Sequence, residues 1–249
     1  MKIISTAALA LILSGVQFAC KGADGPQGPA GPQGALLTGN ISGFAALIGE
    51  GGYNIANRSG VVVNADGTAI SDTTDSTGHW ILQNMKTGIY TLNFTKDGYG
   101  PMRFLSIQFV GGGDLFLSIA ALAEMPSFSV STLNVADSNN AVWISGSVST
   151  ISDRIRFAWV YFGKDSTVSS DPSTHLFQQG FGMDPGRDQF VSYVSHGDLW
   201  GAGFHAGETI YMTAYAINPS ASSYTDPATN RQVYTALSTI RKSTSVVLH

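Results

Sequence analysis

From about Thr38 to Glu124 turn-forming clusters interrupt this chain so often that it reads as a run of short strands. Asn64-Ala65-Asp66-Gly67, Asp75-Ser76-Thr77-Gly78, Lys86-Thr87-Gly88 and Asp97-Gly98-Tyr99-Gly100-Pro101 all fall within residues 64–101. Gly67 in the first of them accepts the positive φ that a tight hairpin turn needs. The runs between them are short and rich in Val, Ile, Thr and aromatics, and Ile89 to Thr95 alternates apolar and polar residues with period two. Only Leu115 to Ala123 carries a weak 3.6-residue periodicity. Lys and Glu, the good helix formers, are scarce while glycine is abundant, a mix that favours short strands joined by turns. The fold class predicted is all-β, with two tandem β-sandwich domains.

The expected strands of the first sandwich, residues 38–125, are Ser42 to Ile48, Val61 to Val63, Thr68 to Thr74, His79 to Asn84, Ile89 to Thr95, Arg103 to Val110 and Leu115 to Leu122. Glu124-Met125-Pro126 marks the boundary, because proline cannot donate to a ladder and forces its neighbour extended. The second sandwich, residues 126–249, has strand candidates Phe128 to Val135, Ala141 to Thr150, Arg154 to Phe162, Thr174 to Phe181, Gln189 to Ser195, Thr209 to Ile217 and Arg231 to Val247. Ser195 to Gly207 reads as a glycine-rich loop. Trp80, Trp143 and Trp159 lie within strands and are expected in the core; Trp200 lies in the loop.

The N-terminus has its own logic. Lys2 supplies a positive charge, Ile3 to Phe18 an apolar run, and Ala19 a small residue before Cys20, the only cysteine. This is a secretion signal, too short and wrongly flanked for a spanning helix. With Cys20 at the cut it resembles a bacterial lipoprotein signal, which implies a lipidated Cys20 and attachment to a membrane. Gln17 and Phe18 depart from that family's usual leucine and small residue. An ordinary cleaved signal is the alternative, but it wants small residues at both 17 and 19. Residues 1–19 are thus read as the signal and 20–37 as anchor and stalk. Gly22 to Gly34 is four Gly-X-Y triplets and a final glycine, resembling collagen. Four triplets hold a triple helix poorly, so the preferred reading is an extended polyproline-II stalk of order 40 Å, at about 3.1 Å per residue, with trimerisation as the alternative. With no second cysteine the sandwiches have no disulfide, so each must bury a sufficient core.

Two further resemblances attach to the sandwiches. Gly43-Phe44, Gly60 to Val63, Thr73 to Trp80, Gly88 to Leu92 and Lys96 to Tyr99 stand in the order of the carboxypeptidase regulatory-like domain, a transthyretin-type sandwich. That resemblance implies a spacer or binding module without a peptidase site. The long loop Gly49 to Ser59 departs from it. Ala206 to Asn218 resembles the penultimate strand of a fibronectin type III domain, which would make Tyr211 its tyrosine corner. Asp72-Thr73-Thr74, Asp75-Ser76-Thr77 and Asp165-Ser166-Thr167 resemble the pattern of O-glycosylated exported proteins in Bacteroidetes, though such triplets also serve as turns.

Few residues point to chemistry. The net charge is −4 with no basic cluster, which excludes nucleic acid as a partner. The five histidines form no close ligand pair, so neither a metal nor another cofactor is expected, and Gly-x-Ser-x-Gly is absent. Loop carboxylates Asp66, Asp72, Asp75 and Asp97 could in principle gather calcium, but each is more simply a turn residue. His196, Asp198 and His205 share the loop that holds Trp200, and a pocket joining them would favour an enzyme. Trp200 and Phe204 are the expected binding residues, as loop aromatics able to stack on a sugar or a partner. The predicted protein is a non-catalytic, lipid-anchored envelope protein that presents sandwich surfaces to a glycan or a protein partner. The alternative is a structural spacer without a ligand site.

Overall fold

The computed structural model describes residues 37–249, so Cys20, the signal and the Gly-X-Y stalk lie outside the described residues. Apart from one short helix the described chain is β throughout. Its first half runs β1 (Thr38–Ile48), β2 (Val62–Ala65), β3 (Ser71–Thr73), β4 (His79–Lys86), β5 (Gly88–Thr95), β6 (Met102–Phe109), β7 (Leu115–Phe116) and β8 (Ala120–Ala123). One sheet has the order β3-β2-β5-β6; the other is β4-β1-β7, with β8 also pairing β1. The second half runs β9 (Val130–Ser138), β10 (Ala141–Val148), β11 (Arg156–Gly163), β12 (Phe177–Met183), β13 (Gln189–Ser195), α1 (His196–Gly201), β14 (Thr209–Ile217), β15 (Ser223–Thr225), β16 (Gln232–Tyr234) and β17 (Leu237–Val247). Its sheets are β13-β10-β9 and β12-β11-β14-β17, with β15-β16 as a separate hairpin.

Alternating burial along the strands builds one core per sandwich. In the first, Trp80 of β4 and Phe94 of β5 meet edge to face with centroids 5.4 Å apart, joining the two sheets. Both are fully buried, together with Ile41, Leu47, Leu82 and Leu92. In the second, Phe181 of β12 stacks on Phe190 of β13 at 6.0 Å, again across the sheets. Val142, Ile144, Val160, Phe162, Met212 and Ala214 fill the space around them.

The described residues, 37–249, all belong to one compact unit. The Asn218 side-chain amide donates to the Glu124 carbonyl at 2.9 Å, and the Ser222 hydroxyl to the Ala121 carbonyl at 2.7 Å. Gly100 allows a close backbone approach between the two sandwiches, because a Cβ there would stand 2.6 Å from the Ala236 nitrogen. Gly78, at φ +90°, closes the Asp75 turn, and a side chain on it would meet the Ala45 carbonyl at 2.2 Å.

Several elements differ from the sequence reading for local reasons. Thr68 to Thr74 shortens to β3 because Thr68 caps the preceding turn, its hydroxyl donating to Ala65 O at 2.8 Å. Leu115 to Leu122 divides in two while running parallel to β1. Ile41 pairs with Leu115 and Ala45 with Ala120, so four steps on β1 face five on its partner and the extra residue breaks the ladder. The loop 195–207 contains α1, started by Ser195, whose hydroxyl accepts from the Asp198 N–H. Residues 218–230 supply β15, which pairs with β16.

Replacing Trp80 by Ala should lower unfolding free energy by about 3–5 kcal/mol, since the inter-sheet contact is lost and a cavity remains. Urea unfolding followed by fluorescence measures this, and a loss under about 1 kcal/mol would show that the first sandwich does not depend on this contact.

Candidate functional site

The two sheets of the second sandwich differ on their outer sides. Outward residues of β11 and β14 are roofed: Tyr161, Val168, Tyr215, Ile217 and Leu237 form a second buried layer with Tyr234 of the β15-β16 hairpin packed against it. Trp159 is covered by Tyr234, with ring centroids 4.1 Å apart. The outer side of β13-β10-β9 carries no such layer. Val142 and Ile144 point into the core, and strand alternation therefore turns Trp143 outward, where it is 41% exposed. Trp143 was expected in the core; the parity of β10 places it on the surface instead.

Cross-strand register assembles this open face. Trp143 pairs with Tyr193 on β13 and with Ala136 on β9. The Trp143 and Tyr193 rings lie side by side, with centroids 5.2 Å apart and planes inclined at 44°. Tyr193 is 57% exposed. The next row holds Asn134, Ser145 and Val191, and the row beyond it Thr132, Ser147 and Gln189. The Thr132 and Ser147 hydroxyls share a 2.8 Å hydrogen bond. A shallow cleft of about 170 Å³ runs beside Trp143 between Asn134, Ser145 and Val191. None of the nine side chains in these rows is charged.

The residues singled out in the sequence fall elsewhere. Phe204 is fully buried in the second core beside Leu199, so it is a core residue and cannot meet a ligand. The chain turns at Gly203 (φ +97°), and the Phe204 N–H donates to the Leu199 carbonyl at 3.0 Å. Trp200 is exposed, but on α1 rather than in an open loop, with its ring 5.8 Å from that of His196. His196, Asp198 and His205 are not brought to one point. His196 Nε2 bonds Asp137 Oδ1 at 2.6 Å, Asp198 accepts from the Ser195 hydroxyl at 2.6 Å, and the His205 N–H donates to Glu208 at 2.9 Å. Tyr211 makes no hydrogen bond through its hydroxyl among the described residues; Glu208 secures the loop before β14 by bonding Lys164 at 2.9 Å.

The carboxylates of Asp66, Asp72, Asp75 and Asp165 each have a partner within the protein. Asp75 accepts from the Thr77 N–H and hydroxyl, and Asp165 from the Thr167 N–H, at 2.7–2.8 Å. Asp72 accepts from the Ile81 N–H at 2.7 Å, and Asp66 pairs with Arg103 at 3.2 Å. Among the described residues no three His, Cys, Asp or Glu side chains stand close enough to hold a metal ion. A cleft of about 420 Å³ between the sandwiches is lined by Glu50, Tyr53, Glu124, Asp153, Arg154 and Arg156. Two of its carboxylates already hold backbone: Glu124 accepts from the Glu50 N–H at 3.0 Å and Glu50 from the Ser127 N–H at 3.1 Å.

Two buried titratable groups are structural. His175 is almost fully buried against Tyr161, with its Nδ1 facing the Ser169 and Asp171 carbonyls at 3.1 and 2.9 Å. Burial holds its pKa below the ordinary 6.5, outweighing those hydrogen bonds. Burial works to raise the Asp137 carboxyl, but hydrogen bonds from the His249 N–H and from His196 hold it below the ordinary 3.8.

No family model matches this chain, and no curated protein matches it. Solved structures similar to this chain include a candidate carbohydrate-binding protein from Bacteroides uniformis, at 15% identity and TM-score 0.32 over 85% of this chain and 100% of that one. A DUF3823 family protein from Bacteroides ovatus is similar at 13% identity and TM-score 0.32, over 85% and 100%. A cohesin–X-dockerin complex from Acetivibrio cellulolyticus is similar at 20% identity and TM-score 0.30 over 34% of this chain, which spans 58% of that chain's length.

The two buried groups predict an acid-sensitive fold. A folded pKa below the unfolded one means that stability is full above the unfolded value and is lost as pH falls through the folded value. Melting temperature should therefore decline first below about pH 6.5 through His175 and again below about pH 3.8 through Asp137. In His175→Asn, whose amide can keep the Nδ1 hydrogen bond, the first decline should flatten. A thermal-melt series across pH tests this, and an unchanged first step in the variant would remove His175 as its source.

Proposed function

We propose that this protein is a non-catalytic binding protein of the cell envelope, held to a membrane by lipid on Cys20, with the open face of β13-β10-β9 turned toward a glycan or a protein partner. The Trp143–Tyr193 pair carries this reading. Large aromatic rings are normally buried, and two adjacent rings left half-exposed on a regular sheet form a rigid contact surface with little rotamer freedom left to lose. The Gly-X-Y segment would act as a spacer between lipid and sandwiches. The absence of catalysis is part of the proposal. Its support is that His196 is bonded to Asp137 and Ser195 to Asp198, so no described serine on this loop is hydrogen-bonded to a histidine base.

A glycan-array and pull-down screen comparing the native chain with Trp143→Ala and Trp200→Ala tests the reading. Both side chains lie at the surface and each touches one ring, so each variant should stay folded and lose no more than about 1–2 kcal/mol. Saturable binding should be lost in Trp143→Ala and retained in Trp200→Ala. The opposite pattern would move the site to α1, and no binding by the native chain to either class of partner would leave a structural spacer.

A further inference from the structure

The chemistry of the open face narrows its ligand, an inference that rests on the binding role proposed above. We infer that the face takes a neutral, polyhydroxylated sugar chain, with a pyranose ring lying against Trp143 and Tyr193 and its hydroxyls reaching Asn134, Ser145 and Gln189.

Three observations on the same surface meet here. The aromatic row supplies flat apolar area that can cover the C–H face of a sugar ring. The adjacent rows are neutral: an amide at Asn134, hydroxyls at Ser145, Ser147 and Thr132, and a second amide at Gln189. Amides and hydroxyls both donate and accept, which suits a ligand whose every hydroxyl does the same. An acidic sugar would bring a carboxylate to a face that offers no Lys or Arg to pair with it.

Size separates this occupant from a protein. Three strands about 4.8 Å apart and three rows about 7 Å apart make a face on the order of 300 Å². A stable protein–protein interface needs about 800 Å² from each partner. Of the six side chains in the two rows beyond the aromatics only Val191 is apolar, whereas the core of a protein interface stays apolar. A strip of this size and mixture fits a few sugar units.

The test is calorimetric titration of the full chain with neutral oligosaccharides (glucose-, galactose-, mannose- and xylose-based) and with uronic-acid oligosaccharides, each at low and high salt. Neutral sugars should bind with an affinity independent of salt, and uronic acids should not bind. Trp143→Ala should weaken binding at least roughly tenfold and Asn134→Ala by several fold. Tyr193→Phe, which keeps the ring, should bind as the native chain does, and circular dichroism should show all variants folded. Salt-sensitive binding of uronic acids would overturn the neutral-sugar assignment and leave the binding role standing. Neutral-sugar binding indifferent to Trp143→Ala would overturn this site. If neither class binds, the sugar assignment falls, and capture of a protein partner lost in Trp143→Ala would be needed to keep the broader role.

Discussion

Each sandwich stands on side chains that reach across from one sheet to the other, with no crosslink available to help them. The chain's only cysteine is Cys20, so the described residues contain no disulfide to restrict the unfolded state. Stability must come from burial, and in each sandwich an aromatic pair sits at the sheet-to-sheet contact. Trp80 meets Phe94 between β4 and β5, and Phe181 meets Phe190 between β12 and β13. These pairs fix the parity of their strands. A slip of one residue on β4 would bring the half-exposed His79 and Ile81 inward and expel Trp80 and Leu82, so register is enforced by burial.

That parity also determines which side chains reach the surface. In the second sandwich, filling the core with Val142 and Ile144 obliges Trp143 to point away from it, and burying Phe190 and Val194 does the same for Val191. What becomes of outward aromatics then depends on the loops. On the β11-β14 side, Val168 and the β15-β16 hairpin cover Tyr161 and Trp159. On the β13-β10-β9 side nothing among the described residues covers Trp143 and Tyr193. The contrast between a roofed sheet and a bare one in the same sandwich is what draws attention to the bare face.

Much of this was legible in the sequence. The turn clusters at residues 64–67 and 75–78 locate real chain reversals, because glycine at positive φ and an Asx-capped turn are local decisions, whereas at 86–88 the chain crosses from one sheet to the other with no positive φ at Gly88. The all-β class follows from the same punctuation. Non-local pairing was harder to read. That Leu115 to Leu122 would run parallel to β1 and break over one extra residue depends on a partner some seventy residues earlier. Trp143 was legible in principle: Val142, Ile144 and Val148 share one parity, while Trp143, Ser145 and Ser147 share the other. A tryptophan in phase with serines belongs on the polar side of a strand, and giving its size more weight than its phase led to the expectation of a core residue. Tyr193 is less readable, because Ser192 interrupts the apolar phase of β13.

Exposure alone does not distinguish Trp143 from Trp200, since both are roughly half exposed, but their surroundings do. Trp200 stands on a six-residue helix and leans on His196, which with the His249 N–H holds the carboxylate of Asp137. The Asp137 and His196 side chains are each about 95% buried, and a hydrogen bond to a carboxylate is stronger in such surroundings than in water. The exposed side of Trp200 is thus the back of a group already engaged in tying β9, α1 and the end of β17 together. Trp143 has no comparable duty on its outward side. Its backbone is fixed by ladders to β9 and β13, and its neighbours on the face are another ring and small polar side chains. A side chain held rigidly from below and unengaged from above is the arrangement in which contact with a partner costs the least ordering, and on this chain the strand register produces it at Trp143 and Tyr193.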